Sequence, residues 1–272
     1  MASEHRDLPR LIGVIHLPPL PGSARGGGDF AAVLEAATRD AKALASAGFD
    51  GLMVENYGDA PFTRGAVGPE TVAAMTAVAA RVRAVAPKLP LGVNVLRNDA
   101  RAALAVAMAS GASMVRINVH VGARVTDQGL IEGDAHATLR YRRSLGAERI
   151  RLLCDVAVKH SAALAPRPIG EEAQELVVRG LADAVLVTGS GTGAAVDGGE
   201  LDEVASALSR AEHGAPIFLA SGVTLSNLAS YRSAYGAIVG TALRRSGHAG
   251  DPVDPALARA FASAWKKSRR AR

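Results

Sequence analysis

Eight short aliphatic runs punctuate the chain: LIGVIH (11–16), GLMVEN (51–56), LGVNV (91–95), SMVRIN (113–118), RLLCDV (151–156), AVLVTG (184–189), IFLASG (217–222) and AIVGTA (237–242). Their apolar character is continuous rather than alternating, as in strands buried on both faces of a parallel sheet. Helical patterns separate them. In 29–47, Phe30, Val33, Leu34, Ala37, Ala41 and Leu44 share a face behind Asp29 as a cap. In 69–86, Pro69 and Glu70 open a first turn, and Val72, Met75, Ala79, Val82 and Ala86 form a stripe. Asn98 or Asp99 starts a third helix, and further helices are predicted at 135–145, 171–180, 200–212, 226–234 and 255–267. Eight strand–helix units in 272 residues predict an α/β chain folded as one (β/α)₈ barrel spanning 1–272. A doubly wound open sheet is the alternative. In VTGSGTGA (187–194), Gly189, Gly191 and Ala194 fit a dinucleotide-loop pattern. The next strand, IFLASG, lacks the acidic residue that should follow it.

With 49% hydrophobic but only 4% aromatic residues, the core of such a barrel must be aliphatic. The single cysteine, Cys154, excludes an intrachain disulfide. No run approaches the ~20 apolar residues of a membrane span. The opening MASEHRDLPR lacks the apolar stretch of a signal peptide, so a cytoplasmic protein without a transmembrane segment is expected. Much of the net charge of +5 comes from Lys266, Lys267, Arg269, Arg270 and Arg272, read as a flexible, solvated basic tail at about 266–272. With no nucleic-acid module or aromatic platform, nucleic acid is not an expected partner.

In a barrel, the loops after the strands form the active-site face. The strand ends carry His16, Glu55 with Asn56, Asn94, Arg116 with Asn118, Asp155, Thr188 with Ser190, Ser221 and Thr241. Burying that many polar groups around one mouth costs roughly 1–3 kcal/mol for each left unpaired, so a ligand or a mutual network must satisfy them. After strands six to eight, the segments GSGTG, SGVTLSN and GTALR are small and glycine-rich. Their backbone N–H groups suit an oxyanion, which places a phosphate on Ser190, Gly191, Ser221, Gly222, Gly240 and Thr241. The other half of the mouth holds His16, Glu55, Asp59, Asp155 and His160, a set suited to general acid–base work. No tight ligand spacing specifies a metal, and no cofactor is indicated. The connections 118–135 and 158–170 are long for βα loops and polar. The first reads as a lid or an interface, leaving a homo-oligomer open, and the second stands beside it. Lys159, in the second, is placed to neutralise an anionic substrate.

Seven motifs in order, GVIHLPPLPGS (13–23), VENYGDAPF (54–62), RINVHVGARVTDQGLIEG (116–133), CDVAVKHSAAL (154–164), DAVLVTGSGTG (183–193), ASGVTLSNL (220–228) and GAIVGTAL (236–243), resemble the BtpA/SgcQ family from about Leu11 to Leu243. The resemblance implies a (β/α)₈ barrel. It carries over His16, Glu55, Asn56, Asp59, Asn118, Asp127, Glu132, Asp155, Lys159 and His160 as family-pattern positions. The family's founding cyanobacterial member is associated with photosystem I accumulation, and others are linked by name to sugar metabolism. The chain departs from the family at Ala162–Leu164, which lacks a proline, and beyond Leu243.

Together these readings predict an enzyme for a small phosphorylated metabolite of the sugar or nucleoside type. Asp155 or Glu55 is the expected base, and His16 or His160 the acid. Asn94, Asn118 and Arg116 orient substrate oxygens, with Asn56, Asp59, Asp127, Glu132 and Lys159 as further binding candidates. A non-catalytic photosystem I biogenesis factor and a ligand-sensing barrel are the alternatives.

Overall fold

A computed structural model describes residues 8–270, except 28, 190, 192, 212, 213 and 232. All eight aliphatic runs form strands: β1 (Leu11–His16), β2 (Gly51–Glu55), β3 (Leu91–Asn94), β4 (Met114–Ile117), β7 (Arg151–Asp155), β9 (Ala184–Val187), β10 (Ile217–Leu219) and β11 (Gly236–Val239). They close a parallel barrel in the order β1-β11-β10-β9-β7-β4-β3-β2. No described helix is long and apolar enough to cross a membrane.

The register of this barrel builds the site. His16 pairs with Glu55, Glu55 with Asn94, and Asn94 with Arg116. Side chains two residues apart on a strand share a face. One step below that polar ring, Val14, Met53, Met114, Leu153, Leu186, Phe218 and Ile238 fill the barrel interior as one buried cluster. The same inward parity that delivers aliphatic side chains to the lower barrel therefore delivers polar ones to its rim.

Outside the sheet lie α1 (Phe30–Ala47), α2 (Pro69–Val85), α3 (Ala100–Ser110), α4 (Ala135–Ser144), α5 (Ile169–Val178), α6 (Gly198–Ser209) and α7 (Pro255–Arg270). The Asp29 side chain caps α1 through Ala31 N–H, and Asp99 caps α3 through Ala102 N–H. The helix predicted at 226–234 is only a 3₁₀ turn, Leu228–Tyr231. There the Asn227 side chain accepts from Thr224 N–H at 2.7 Å and donates to Gly222 O at 2.8 Å, closing a turn where a helix would start.

The basic stretch predicted as a tail is instead the end of α7 through Arg270. Ala258, Phe261, Ala262 and Trp265 bury one face of that helix. The Arg269 guanidinium lies 4.2 Å over the Trp265 ring and donates to Ala234 O at 2.7 Å. Lysines and arginines in a last helical turn also match its dipole.

The two long connections meet. β5 (Ala123–Thr126), β6 (Gly129–Glu132) and β8 (Ser161–Ala163) form a separate antiparallel sheet in the order β6-β5-β8. Arg124, Val125 and Thr126 pair with Ala163, Ala162 and Ser161. A small cluster of Val119, Ile131 and Val158 is buried beneath it. Arg124 fastens it further, donating to Val156 O at 2.9 Å and to Glu172 at 2.7 Å.

Candidate functional site

His16, Glu55, Asn94, Arg116 and Asp155 stand around the rim of the barrel, each between 1% and 9% exposed. Burial at this level requires partners. The Arg116 guanidinium makes a bidentate pair with Asp155, Nε to Oδ2 at 3.0 Å and Nη2 to Oδ1 at 2.9 Å. Asn118 donates to the same Oδ2 at 2.8 Å. The Asp155 charge beside it raises the Arg116 pKa against the opposing effect of burial, which is the larger single influence. With three donors on its two oxygens, Asp155 fixes Arg116 and Asn118, and the geometry does not leave it free as the predicted base.

Glu55 is less committed. Its Oε2 accepts from Asn94 at 2.8 Å and lies 4.0 Å from Arg116 Nη1. Its Oε1 faces His16 Nε2 at 3.6 Å. Gly250 N–H donates to His16 Nδ1 at 3.4 Å, which puts the ring proton of neutral imidazole on Nε2, toward Glu55. The Tyr57 ring leans on the imidazole at 4.8 Å between centroids. Burial, then the charges of Arg244, Lys159 and Arg116, pushes the His16 pKa well below its ordinary value. His16 is therefore neutral at pH 7 and lies beside Glu55, where an acid was predicted. The carbonyl-side oxygens of Asn94 and Asn118 are buried with no hydrogen-bond partner among the described residues.

The depressed His16 pKa has a thermodynamic consequence. Below pH ~6.5 the unfolded chain takes up a proton that the folded site resists, so this contribution is complete above the unfolded pKa and declines as pH falls. His120, also buried with a lowered pKa, adds in the same direction. Guanidinium melts at pH 7.5 and 5.5 are expected to show lower stability at 5.5. In His16→Asn the difference shrinks by up to about 1.4 kcal/mol for each pH unit below 6.5.

Asn56 and Asp59, predicted as substrate contacts, are engaged by the protein. Asp59 accepts from Leu20 N–H at 2.8 Å and from Asn56 Nδ2 at 2.9 Å. The Asn56 oxygen accepts from Leu96 N–H at 2.7 Å. These bonds tie the proline loop after β1 to the loops after β2 and β3. Asp59→Ala strands two buried donors and is expected to cost roughly 2–4 kcal/mol in urea denaturation. Glu132 is exposed on β6 and lines a groove with Arg64, Asn98 and Asp134, away from the mouth. The lid sheet carried it outward.

A cavity of about 350 Å³ opens between the rim and the lid, lined by Glu55, Tyr57, Phe62, Leu96, Arg97, Arg116, Asn118, Asp127, Lys159 and His160. Asp127 sits on the exposed β5–β6 turn beside the Gln128 amide. His160 is exposed, with φ +56°. Burial pushes the Lys159 pKa down, with Glu55 opposing, and burial does the same to Arg97. Arg97 had no place in the sequence reading. Its one signal is an arginine just past a strand end in VLRND. Arg244 is a second such residue. It is 2% exposed, spans Val14 O at 2.9 Å, Gly240 O and Asp251 O at 3.1 Å, and stitches β11 to β1.

Glu55, Arg116 and Lys159 also line an inner recess against Ser221, Gly222, Val223, Gly240 and Thr241. A Cβ on Gly240 would lie 2.9 Å from His16 Cε1. Gly222, at φ +63°, would place a Cβ 1.8 Å from Ala194 O. Among the described residues, the N–H groups of Gly222 and Val223 donate to no backbone acceptor. Ser221 donates to Gly191 O at 3.2 Å, so its hydroxyl ties two loops together. Ser190 lies outside the described residues.

The BtpA family model matches residues 8–267, past Leu243 and through most of α7. The chain is 43% identical over 255 residues to the photosystem I biogenesis protein BtpA of a Synechocystis strain, covering 93% of this chain and 87% of that one. It is 44% identical over 260 residues to an uncharacterized protein of Thermococcus kodakarensis, covering 95% and 96%. In fold it is similar to 3-keto-L-gulonate-6-phosphate decarboxylase from Vibrio cholerae, with a TM-score of 0.55 at 13% identity, covering 97% and 98%. On the family match and these identities, the chain belongs to the BtpA family.

Proposed function

We propose that the barrel mouth is the active site of an enzyme that moves a proton on a small phosphorylated, hydroxylated metabolite of the sugar or nucleoside type. One observation carries this reading. The 350 Å³ cavity shares Glu55, Arg116 and Lys159 with a small recess bounded by the glycine loops after β10 and β11. The phosphate rests on those loops, against the Gly222 and Val223 N–H groups, with Gly240 and Thr241 opposite.

Glu55 is the general base. Of the rim carboxylate oxygens its Oε1 has the weakest internal engagement, 3.6 Å from neutral His16, while Asn94 holds the carboxylate in place through Oε2. Lys159, whose ammonium donates to no described residue, supplies positive charge or a proton to the substrate oxygen that becomes negative. Asn118, on the cavity wall, orients a substrate hydroxyl, and Arg116, locked by Asp155, sets the floor.

Calorimetry with inorganic phosphate is expected to give millimolar binding. In a turnover screen of phosphorylated metabolites, Glu55→Gln is expected to lower the rate roughly 100-fold while keeping phosphate affinity. Absence of phosphate binding, together with a full rate in Glu55→Gln, defeats the reading.

The name of the Synechocystis relative favours a second reading, an assembly factor acting through its surface. Val125, Leu130 and Leu164, 45%, 40% and 62% exposed on and beside the lid sheet, are the apolar residues it would use. Complementation decides between the two. Glu55→Gln abolishes function under the first reading, and Leu164→Asp does so under the second.

A further inference from the structure

The outer cavity holds guanidinium donors on Arg97 that a phosphate bound in the inner recess does not use. Arg97 is 5% exposed, and its Nη2 donates to Lys159 O at 2.7 Å. Its Nε and Nη1 donate to no described residue, and neither does the Lys159 ammonium. Arg116, the third cation on this wall, is committed to Asp155. Among the carboxylates of the cavity, Glu55 is held at the floor by Asn94, and Asp127 stands on the lid turn. Glu55 faces Lys159 and the recess, and Asp127 holds the Gln128 amide, so among the described residues no carboxylate hydrogen-bonds to Arg97. A guanidinium withdrawn from water and without a hydrogen-bonded counter-ion is costly unless an anion arrives. Tyr57, Phe62 and Leu96 wall this end, so a ligand group here is also partly desolvated, which strengthens its attraction to Arg97.

We infer that the ligand carries a carboxylate at the end opposite its phosphate, and that Arg97 takes it. One guanidinium matches the single negative charge of a carboxylate better than that of a second, dianionic phosphate. The inference rests on the proposed phosphate seat in the recess and adds the substrate class, a phosphorylated hydroxy acid. Arg97 thus sets specificity, and its bond to the Lys159 carbonyl keeps the lysine over the cavity.

Two pairs of probes test it on the full chain by calorimetry: 6-phosphogluconate against sorbitol 6-phosphate, and 3-phosphoglycerate against glycerol 3-phosphate. Members of each pair differ only in a carboxylate replacing a hydroxymethyl group. In at least one pair the acid is expected to bind ten or more times tighter, roughly the effect of one charge-assisted contact. Arg97→Gln is expected to bring that ratio toward one while the alcohol's affinity changes little. Arg97→Met serves the same purpose should Arg97→Gln melt early. Equal affinities in both pairs, or a preference that survives both substitutions, overturns the inference and leaves the phosphate seat standing. If neither the alcohols nor inorganic phosphate binds, the phosphate seat fails and the inference falls with it.

Discussion

Asp155→Ala is expected to destabilise the protein by about 3–5 kcal/mol, the cost of leaving a buried guanidinium without its counter-charge. Arg116 is 4% exposed, and two of its three nitrogens spend their hydrogen bonds on Asp155. Its remaining acidic neighbour, Glu55, is 4.0 Å away and already holds Asn94. For a chain of this size the loss corresponds to a fall in Tm of roughly 10 °C by calorimetry. Asn118 loses its acceptor in the same substitution. Arg116→Met in the Asp155→Leu background removes both charges and is expected to recover part of the loss, because an apolar pair of similar volume often replaces a buried ion pair at little cost. A loss under 1 kcal/mol in Asp155→Ala contradicts the bidentate pair.

Gly222→Ala is expected to cost roughly 3 kcal/mol and to abolish phosphate binding. A left-handed conformation costs an L-residue about 1–2 kcal/mol, and the overlap with a carbonyl oxygen adds an overpacking penalty of about 1–3 kcal/mol. The clashing atom is Ala194 O, part of the backbone, so no side chain can swing aside. The loops after β9 and β10 must separate, and the recess between them opens. Calorimetry with inorganic phosphate and a thermal melt read the two effects separately. Unchanged affinity in a folded Gly222→Ala protein shows that the anion seat lies elsewhere.

The barrel was legible because its signal is local. Strands buried on both faces read as continuous aliphatic runs, and each run reappears as a strand of the closed sheet. The polar rim was legible for the same reason, since His16, Glu55, Asn94 and Asp155 all end their strands. Two helix readings failed on local detail. The predicted helix at 226–234 gave way to a turn that Asn227 closes against Gly222. The basic tail became the end of α7 because Ala258, Phe261, Ala262 and Trp265 continue one buried face, a stripe that outweighs the lysines and arginines between them.

Residue pattern alone determined the eight barrel strands, their parallel burial and the choice of one rim for the polar side chains, because periodicity and strand parity are properties of neighbouring residues. Only the folded chain decided which of those side chains are free to act. Asp155 and Arg116 are 39 positions apart and silence each other as free base and free cation. Asn56 and Asp59 are drawn into bracing the proline loop, and Arg97 enters the cavity through a bond to a carbonyl 62 positions away. A hydrogen bond has a direction and a distance that sequence spacing does not encode, and barrel closure is what brings its two ends together.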